Sequence, residues 1–138
     1  MIGLDTNVLA RYYIRDEGDA EAARQRVAAK TLVESGVPLM VCKTVILELE
    51  WVMRGYYELT SEDTAKALNH LLSLPHVTIE ERESVRQALS LADAGLEFAD
   101  AIHHASYRSC ESIASFDDKK FARRARRLGL SPSVTVPT

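Results

Sequence analysis

The sequence lacks the features that mark several large classes of protein. It has only two cysteines, Cys42 and Cys110, and neither stands at a spacing typical of metal ligands. No apolar run approaches the roughly 20 residues that a membrane-spanning helix needs. The first predicted strand begins at the first residues of the chain, so we expect no targeting segment. These absences predict a cytoplasmic protein with reduced thiols and no membrane partner.

An excess of charge of one sign is also lacking. The formal net charge is −3, and the content of 46% apolar and 27% charged residues is typical of a globular protein. Such a balance argues against binding of nucleic acid over the whole surface, although it leaves room for a local basic patch. The length of 138 residues, without repeats or an obvious linker, predicts a single domain over residues 1–138.

Short apolar runs alternate with helical patterns along the chain. Ile2 and Leu4 predict a very short buried strand, and Asn7 is the predicted cap of the helix that follows it. Further strands are predicted at residues 39–42, 77–79, 112–116 and 133–136, with further helices at residues 20–35, 43–54, 61–74, 81–94, 98–109 and 117–128. This alternation predicts a three-layer α/β fold, in which a small parallel sheet is flanked by helices on both faces.

Acidic residues stand where these elements meet. Asp5 follows the first strand and Asp117 follows the fourth. If the two strands are parallel, both acids lie at the same edge of the sheet, which is where open α/β sheets bind ligands. Asp100 lies in the first turn of a helix, a position that the helix dipole favours even without any catalytic role.

Two acids of the third helix are separated by its periodicity. Apolar residues stand three before, one after and four after Glu48, so we expect its side chain on or beside the apolar face. Glu50 lies about 200° further round, four residues before Arg54, and is expected in solvent. A carboxylate beside an apolar face is either at the boundary of the core or close to a cation.

Four acids can therefore converge at one edge of the sheet: Asp5, Glu48, Asp100 and Asp117. Such a group cannot stay fully ionised without counter-charge. One or two Mg²⁺ or Mn²⁺ ions would supply it, because hard cations prefer oxygen ligands. This arrangement suits hydrolysis of phosphodiester bonds. His103 and His104 have no companions at ligand spacing, and a structural or surface role is favoured for them.

With these residues placed, the sequence resembles the PIN-domain ribonucleases, and among them the VapC toxins of bacterial type II toxin–antitoxin pairs. The resemblance covers nearly the whole chain and depends on four motifs, at residues 4–9 (LDTNVL), 47–53 (LELEWVM), 98–101 (FADA) and 115–121 (SFDDKKF). It implies that the four acids are catalytic and bind the metal, and that three polar residues support them: Thr6, Asn7 and Ser115. The family usually has Thr where Ser115 stands, so this chain departs from the pattern but keeps the hydroxyl. The roles of Glu97 and Asp118 stay open.

The resemblance also implies a set of partners. It predicts a PIN-like fold over residues 1–138, cleavage of RNA that depends on Mg²⁺ or Mn²⁺, a homodimer, and a cognate VapB-type antitoxin that covers the active site.

Six of the 17 lysines and arginines lie within nine positions, from Lys119 to Arg127. A solvated helix face whose arginines complement the helix dipole explains this pattern. The alternative is a surface that binds RNA phosphates and leads the strand to the acids, with Lys119 or Lys120 in contact with RNA.

Other functions fit parts of the sequence. A catalytically silent PIN-like module that binds RNA or protein would keep the fold without the chemistry, but the presence of all four acids argues against it. An aspartyl-phosphate phosphatase needs a second Asp two residues after the first, and here that position is Asn7. A phosphorylatable receiver domain needs a Lys after a late strand, which this chain does not clearly provide.

Overall fold

The computed structural model describes all 138 residues and divides them into two compact units, Met1–Arg82 and Glu83–Thr138. The N-terminal unit contains β1 (Ile2–Gly3), α1 (Thr6–Tyr13), α2 (Ala20–Val33), β2 (Leu39–Val41), α3 (Lys43–Trp51), a π-helical segment (Val52–Tyr56), α4 (Ser61–Ser73) and β3 (Val77–Ile79). The C-terminal unit contains α5 (Arg82–Asp93, with Arg82 still in the first unit), α6 (Phe98–Ser106), β4 (Ser112–Ala114), a second π-helical segment (Asp118–Ala122), α7 (Arg123–Arg127) and β5 (Ser133–Thr135). The prediction of a single domain stays a prediction.

The sheet of the N-terminal unit has the order β1-β2-β3, and all of its strands are parallel. Leu39, at the start of β2, pairs with Ile2 on one side and with Val77 on the other. Leu39 and Val41 are fully buried, as expected for a central strand covered on both faces. The prediction that the first strand is buried is wrong, because β1 is an edge strand and Ile2 is 47% exposed. Burial begins only after β1, at Leu4.

The sheet of the C-terminal unit consists of β4 and β5, which are also parallel, with Ile113 paired to Val134. Both of these side chains are buried. The predicted α/β class is therefore confirmed, since helices alternate with small parallel sheets. The strands differ from the prediction in forming two sheets, one of three strands and one of two.

Each unit has its own apolar core. In the N-terminal unit the fully buried side chains include Leu9, Ile46, Leu49, Met53, Leu68 and Leu71, from α1, α3, the π-helical segment and α4. Burial of each large apolar side chain contributes about 1.5–3 kcal/mol to folding. In the C-terminal unit the fully buried side chains include Val85, Ala88, Ala101 and Ala122.

Several predicted helix ends are confirmed. Thr60 caps α4 by accepting a hydrogen bond from the backbone N–H of Asp63 at 3.0 Å. Gly36 and Gly95 follow α2 and α5 with φ of +81° and +114°, which only glycine adopts without strain. None of the helices combines the length and apolar character that crossing a bilayer requires.

Candidate active site

Asp5 links the first strand to the first helix of the N-terminal unit. It follows β1 closely and is the N-cap of α1, with an extended backbone (φ −84°, ψ 162°). Its carboxylate accepts a hydrogen bond from the backbone N–H of Thr6 at 2.8 Å. The prediction that Asn7 is the cap is wrong, because Asn7 already lies within the first turn of α1. Asn7 is exposed beside Asp5 and lines the same cavity.

Thr6 connects two of the predicted site residues. Thr6 is only 6% exposed, and its hydroxyl donates a hydrogen bond to a carboxylate oxygen of Glu48. Thr6 begins α1 and Glu48 lies in α3, so this bond spans two packed helices. Because Thr6 directly follows Asp5 in the chain, its buried hydroxyl holds one oxygen of Glu48 close to the segment that contains Asp5.

The burial of the two acids of α3 is the reverse of the prediction. Glu48 is exposed, whereas the side chain of Glu50 is 15% exposed and forms an ion pair with Arg54 at 3.8 Å. The reason is the position of the buried stripe, which runs through Ile46, Leu49 and Met53. Glu50 stands four residues after the first of these and three before the last, so it lies beside the stripe while Glu48 points away from it.

A cavity of about 470 Å³ opens beside these residues. Its charged and small polar lining residues are Asp5, Thr6, Asn7, Arg11 and Glu48, and the rest of its lining is Ala10, Trp51, Val52, Tyr56 and Tyr57. This volume lies within the range of sites that bind small ligands or one unit of a polymer. The N-terminal unit thus places two of the four predicted acids at one concave site.

The C-terminal unit places the other two predicted acids within electrostatic reach of each other. Asp100 lies half-buried in the first turn of α6. Burial raises the pKa of its carboxyl group above the ordinary value of 3.8, and the negative charges of Glu97 and Asp117 raise it further. The positive charges of His103 and Arg124 oppose this rise without cancelling it.

Glu97 interacts both with Asp100 and with two cations of the basic segment that runs from Lys119 to Arg127. It occupies the N-cap position of α6, but its side chain accepts no hydrogen bond from the helix. Its carboxylate instead lies 3.6 Å from Nζ of Lys120 and 3.8 Å from Nη1 of Arg124. The sequence leaves the role of Glu97 open, and it stands at the position where the PIN-domain relatives often have Asp.

Asp117 is held by the turn that follows β4. Its backbone N–H donates to Oγ of Ser115 at 3.1 Å, and its carboxylate accepts from the backbone N–H of Lys120 at 3.0 Å. The hydroxyl of Ser115 therefore shapes the chain at Asp117. The next acid, Asp118, pairs with Arg126 at 3.7 Å.

The cations of the last helical region divide into paired and unpaired groups. Lys120, Arg124 and Arg126 form ion pairs with acids of the same unit. Lys119 is exposed and has no ion pair or side-chain hydrogen bond. His104 has the structural role favoured from the sequence: it is buried, and its Nε2 lies 2.9 Å from the carbonyl oxygen of Pro132.

The carboxylate and hydroxyl oxygens of both units suit a hard divalent cation, which prefers oxygen ligands. A cation at Asp100 would compensate the negative charges of Glu97 and Asp117, which help to raise the pKa of Asp100 after burial. Within each unit, however, no three His, Cys, Asp or Glu side chains are gathered closely enough to hold a metal ion. The four-acid metal site stays a prediction.

These features define a parallel α/β protein with acids at its strand ends and helix starts. A model of the PIN domain family matches residues 2–127, and the chain belongs to this family. The predicted family is thereby confirmed. PIN domains are generally nucleases that use divalent metal ions and bind RNA. A search of curated proteins found no match to the chain.

Proposed function

We propose that this protein is a Mg²⁺- or Mn²⁺-dependent endoribonuclease that acts as the toxin of a VapC-type toxin–antitoxin pair. It hydrolyses RNA phosphodiester bonds, and four acids carry the reaction: Asp5, Glu48, Asp100 and Asp117. Membership of a nuclease family supports the reaction class. The observation that supports the site most directly is the hydrogen bond from the buried hydroxyl of Thr6 to Glu48, which orients this carboxylate at the cavity that Asp5 also lines.

The protein's own groups prepare the acids for this role. The backbone N–H of Thr6 orients Asp5, and the turn built by Ser115 orients Asp117. Asp100 is kept in a half-buried, negatively charged environment in which binding of a cation is favoured. When bound, one or two divalent ions would supply a Lewis acid and lower the pKa of a water molecule.

The basic segment from Lys119 to Arg127 contributes to binding of the RNA substrate. Lys119 is free to contact an RNA phosphate, whereas Lys120 would first have to leave Glu97. Contacts of this kind release counterions and weaken as salt concentration rises. Lys119 is therefore the stronger candidate of the two lysines.

The toxin role follows from the resemblance of the four motifs to VapC proteins. We accordingly propose a homodimer, a VapB-type antitoxin that covers the acids, and a cytoplasmic location. Cys42 and Cys110 are both free thiols, as suits a reducing compartment.

Purified protein is expected to cut cellular RNA in Mg²⁺ or Mn²⁺ and to lose this activity in EDTA. Asp5→Asn should reduce the cleavage rate by roughly 10²-fold or more, the usual size for loss of one preorganised electrostatic group. Asn is an equally good N-cap, so α1 should persist, which circular dichroism would check. Cleavage that survives both EDTA and the substitution would refute the mechanism. Tight RNA binding without cleavage in either metal would favour the silent binding module.

Expression of the wild-type chain in bacteria is expected to arrest growth, because a free toxin degrades RNA that the cell needs. Expression of Asp5→Asn at an equal level, checked by immunoblot, should leave growth normal. Equal growth of both cultures, from protein that cleaves RNA in vitro, would contradict the toxin role and leave the nuclease assignment in place.

A further inference from the structure

Three aromatic side chains line the cavity that contains Asp5 and Glu48. Trp51 and Tyr56 are 65% and 72% exposed, and Tyr57 is half-buried. Large aromatic side chains are normally buried in cores or interfaces, where their area contributes most. Two of them exposed in one acid-lined cavity indicate a site for a ligand with a flat apolar part.

The local backbone presents these rings outward. Helix α3 ends at Trp51 and continues as the π-helical segment Val52–Tyr56, a distortion that is frequent at functional sites. The indole packs over Gly55, where an added Cβ would lie 3.6 Å from Cε2 and 3.7 Å from Nε1 of Trp51. These are ordinary van der Waals distances, so the indole lies against the backbone of the next turn.

The tyrosines are ordered by neighbouring groups. The rings of Tyr56 and Tyr57 meet edge to face, with centroids 4.8 Å apart and planes at 73°. Nη1 of Arg11 donates to the hydroxyl of Tyr57 at 3.3 Å. Rings that are already oriented lose little conformational freedom when a ligand stacks on them.

The two kinds of residue that line the cavity match the two parts of a nucleotide. The aromatic residues suit the face of a base, and the polar residues, which include the cation Arg11 and the proposed catalytic acids, suit the sugar–phosphate backbone. Bases within a duplex are stacked on one another, so only an unpaired base can offer its face to these rings. A second copy of the chain would not account for the acids at the same cavity.

We propose that the cavity of the N-terminal unit is a stacking subsite, in which Trp51 and Tyr56 hold one unpaired RNA base beside the phosphodiester bond to be cut. This inference rests on the proposed function. It assigns the positioning of the substrate to Trp51 and Tyr56, which are not among the four proposed catalytic acids.

Trp51 is the only tryptophan of the chain, so its fluorescence reports on this cavity alone. Short single-stranded oligo-rU and oligo-rA are expected to quench the emission, and duplex RNA of equal length is expected to leave it nearly unchanged. The titrations are carried out in EDTA and again in Ca²⁺, which accepts oxygen ligands and tests whether a bound ion is needed. Absence of quenching in both conditions would overturn the inference.

Binding of labelled oligo-rU, followed by anisotropy, tests the individual rings. Trp51→Leu and Tyr56→Leu should each weaken binding by about fivefold or more, the effect of losing one stacked base. Both side chains are largely exposed, so the variants should fold, which thermal unfolding would verify. Tyr107→Leu is the matched control, because Tyr107 is 48% exposed and does not line the cavity. The inference would also be overturned if Trp51→Leu and Tyr56→Leu bound oligo-rU as tightly as Tyr107→Leu does.

The outcomes separate this subsite from the nuclease function itself. Quenching without cleavage in any metal would support the subsite and count against the proposed enzyme. Cleavage without quenching would support the enzyme and overturn the subsite. A blue shift of the emission that depends on protein concentration, with no response to RNA, would mean that a second copy covers the rings, and this too would overturn the inference.

Discussion

Glu48→Gln is expected to lower the rate of RNA cleavage by roughly 10²-fold or more, whereas Glu50→Gln, two residues away in the same helix, should leave the rate nearly unchanged. The glutamine oxygen can still accept the hydrogen bond of Thr6, so the substitution removes the negative charge and keeps the geometry. Glu50 instead pairs with Arg54 beside the buried stripe and does not line the cavity. Cleavage of one labelled RNA in Mg²⁺, under single-turnover conditions, measures both variants.

The comparison is sharp because both substitutions remove one charge from the same helix. Loss of the charge of Glu50 should lower stability, since a helical ion pair of this spacing contributes about 0.5 kcal/mol. A large loss of cleavage in Glu50→Gln, with normal unfolding, would contradict the assignment of Glu48. Equal activity of Glu48→Gln and wild type would exclude Glu48 from catalysis.

The sequence allowed us to predict which elements carry Asp5 and Glu48, but it did not allow us to predict how exposed the acids of α3 are. Asp5 after a strand and Glu48 within a helix follow from local patterns, and the structure places both at one cavity. The orientation of α3 depends on which apolar residues face the core. The prediction uses the stripe Val45, Leu49 and Val52, but the structure buries a second stripe that shares only Leu49 with it. The stripe through Ile46 and Met53 is the buried one, and it continues into a π-helical segment that no periodicity of 3.6 residues predicts.

Other differences arise because tertiary contacts decide what a short segment does. The apolar character of Ile2 predicts burial, yet the strand it begins lies at the edge of its sheet and leaves it half exposed. Asn7 and Asp5 are equally good caps by type, and the extended backbone at Asp5 decides between them. The bridge from Glu97 to Lys120 and Arg124 joins separate helical segments, and such contacts are not visible in local patterns.

Asp100→Asn is expected to abolish cleavage and, in the absence of metal, to make the protein more stable. The pKa of Asp100 is raised in the folded chain, so at neutral pH its ionised form is less favourable there than in the unfolded chain. The stability linked to its proton is fully present below the ordinary pKa of 3.8 and is lost as pH rises through the raised value. The amide removes this loss, so a higher unfolding midpoint than that of wild type is expected in EDTA at neutral pH.

Divalent metal should reverse the order of the unfolding midpoints, so that wild type becomes more stable than Asp100→Asn. An ion that binds the folded wild type stabilises it by mass action, whereas the variant has lost a charged ligand, so Mn²⁺ should raise the wild-type midpoint more. Asp118→Asn is the control, because Asp118 is exposed and already paired with Arg126 and should gain no stability in EDTA. Thermal unfolding of the three proteins, with and without Mn²⁺, measures these effects. A variant that is less stable than wild type in EDTA would mean that Asp100 holds the fold together, and a metal response equal to that of wild type would remove it from the proposed ligands.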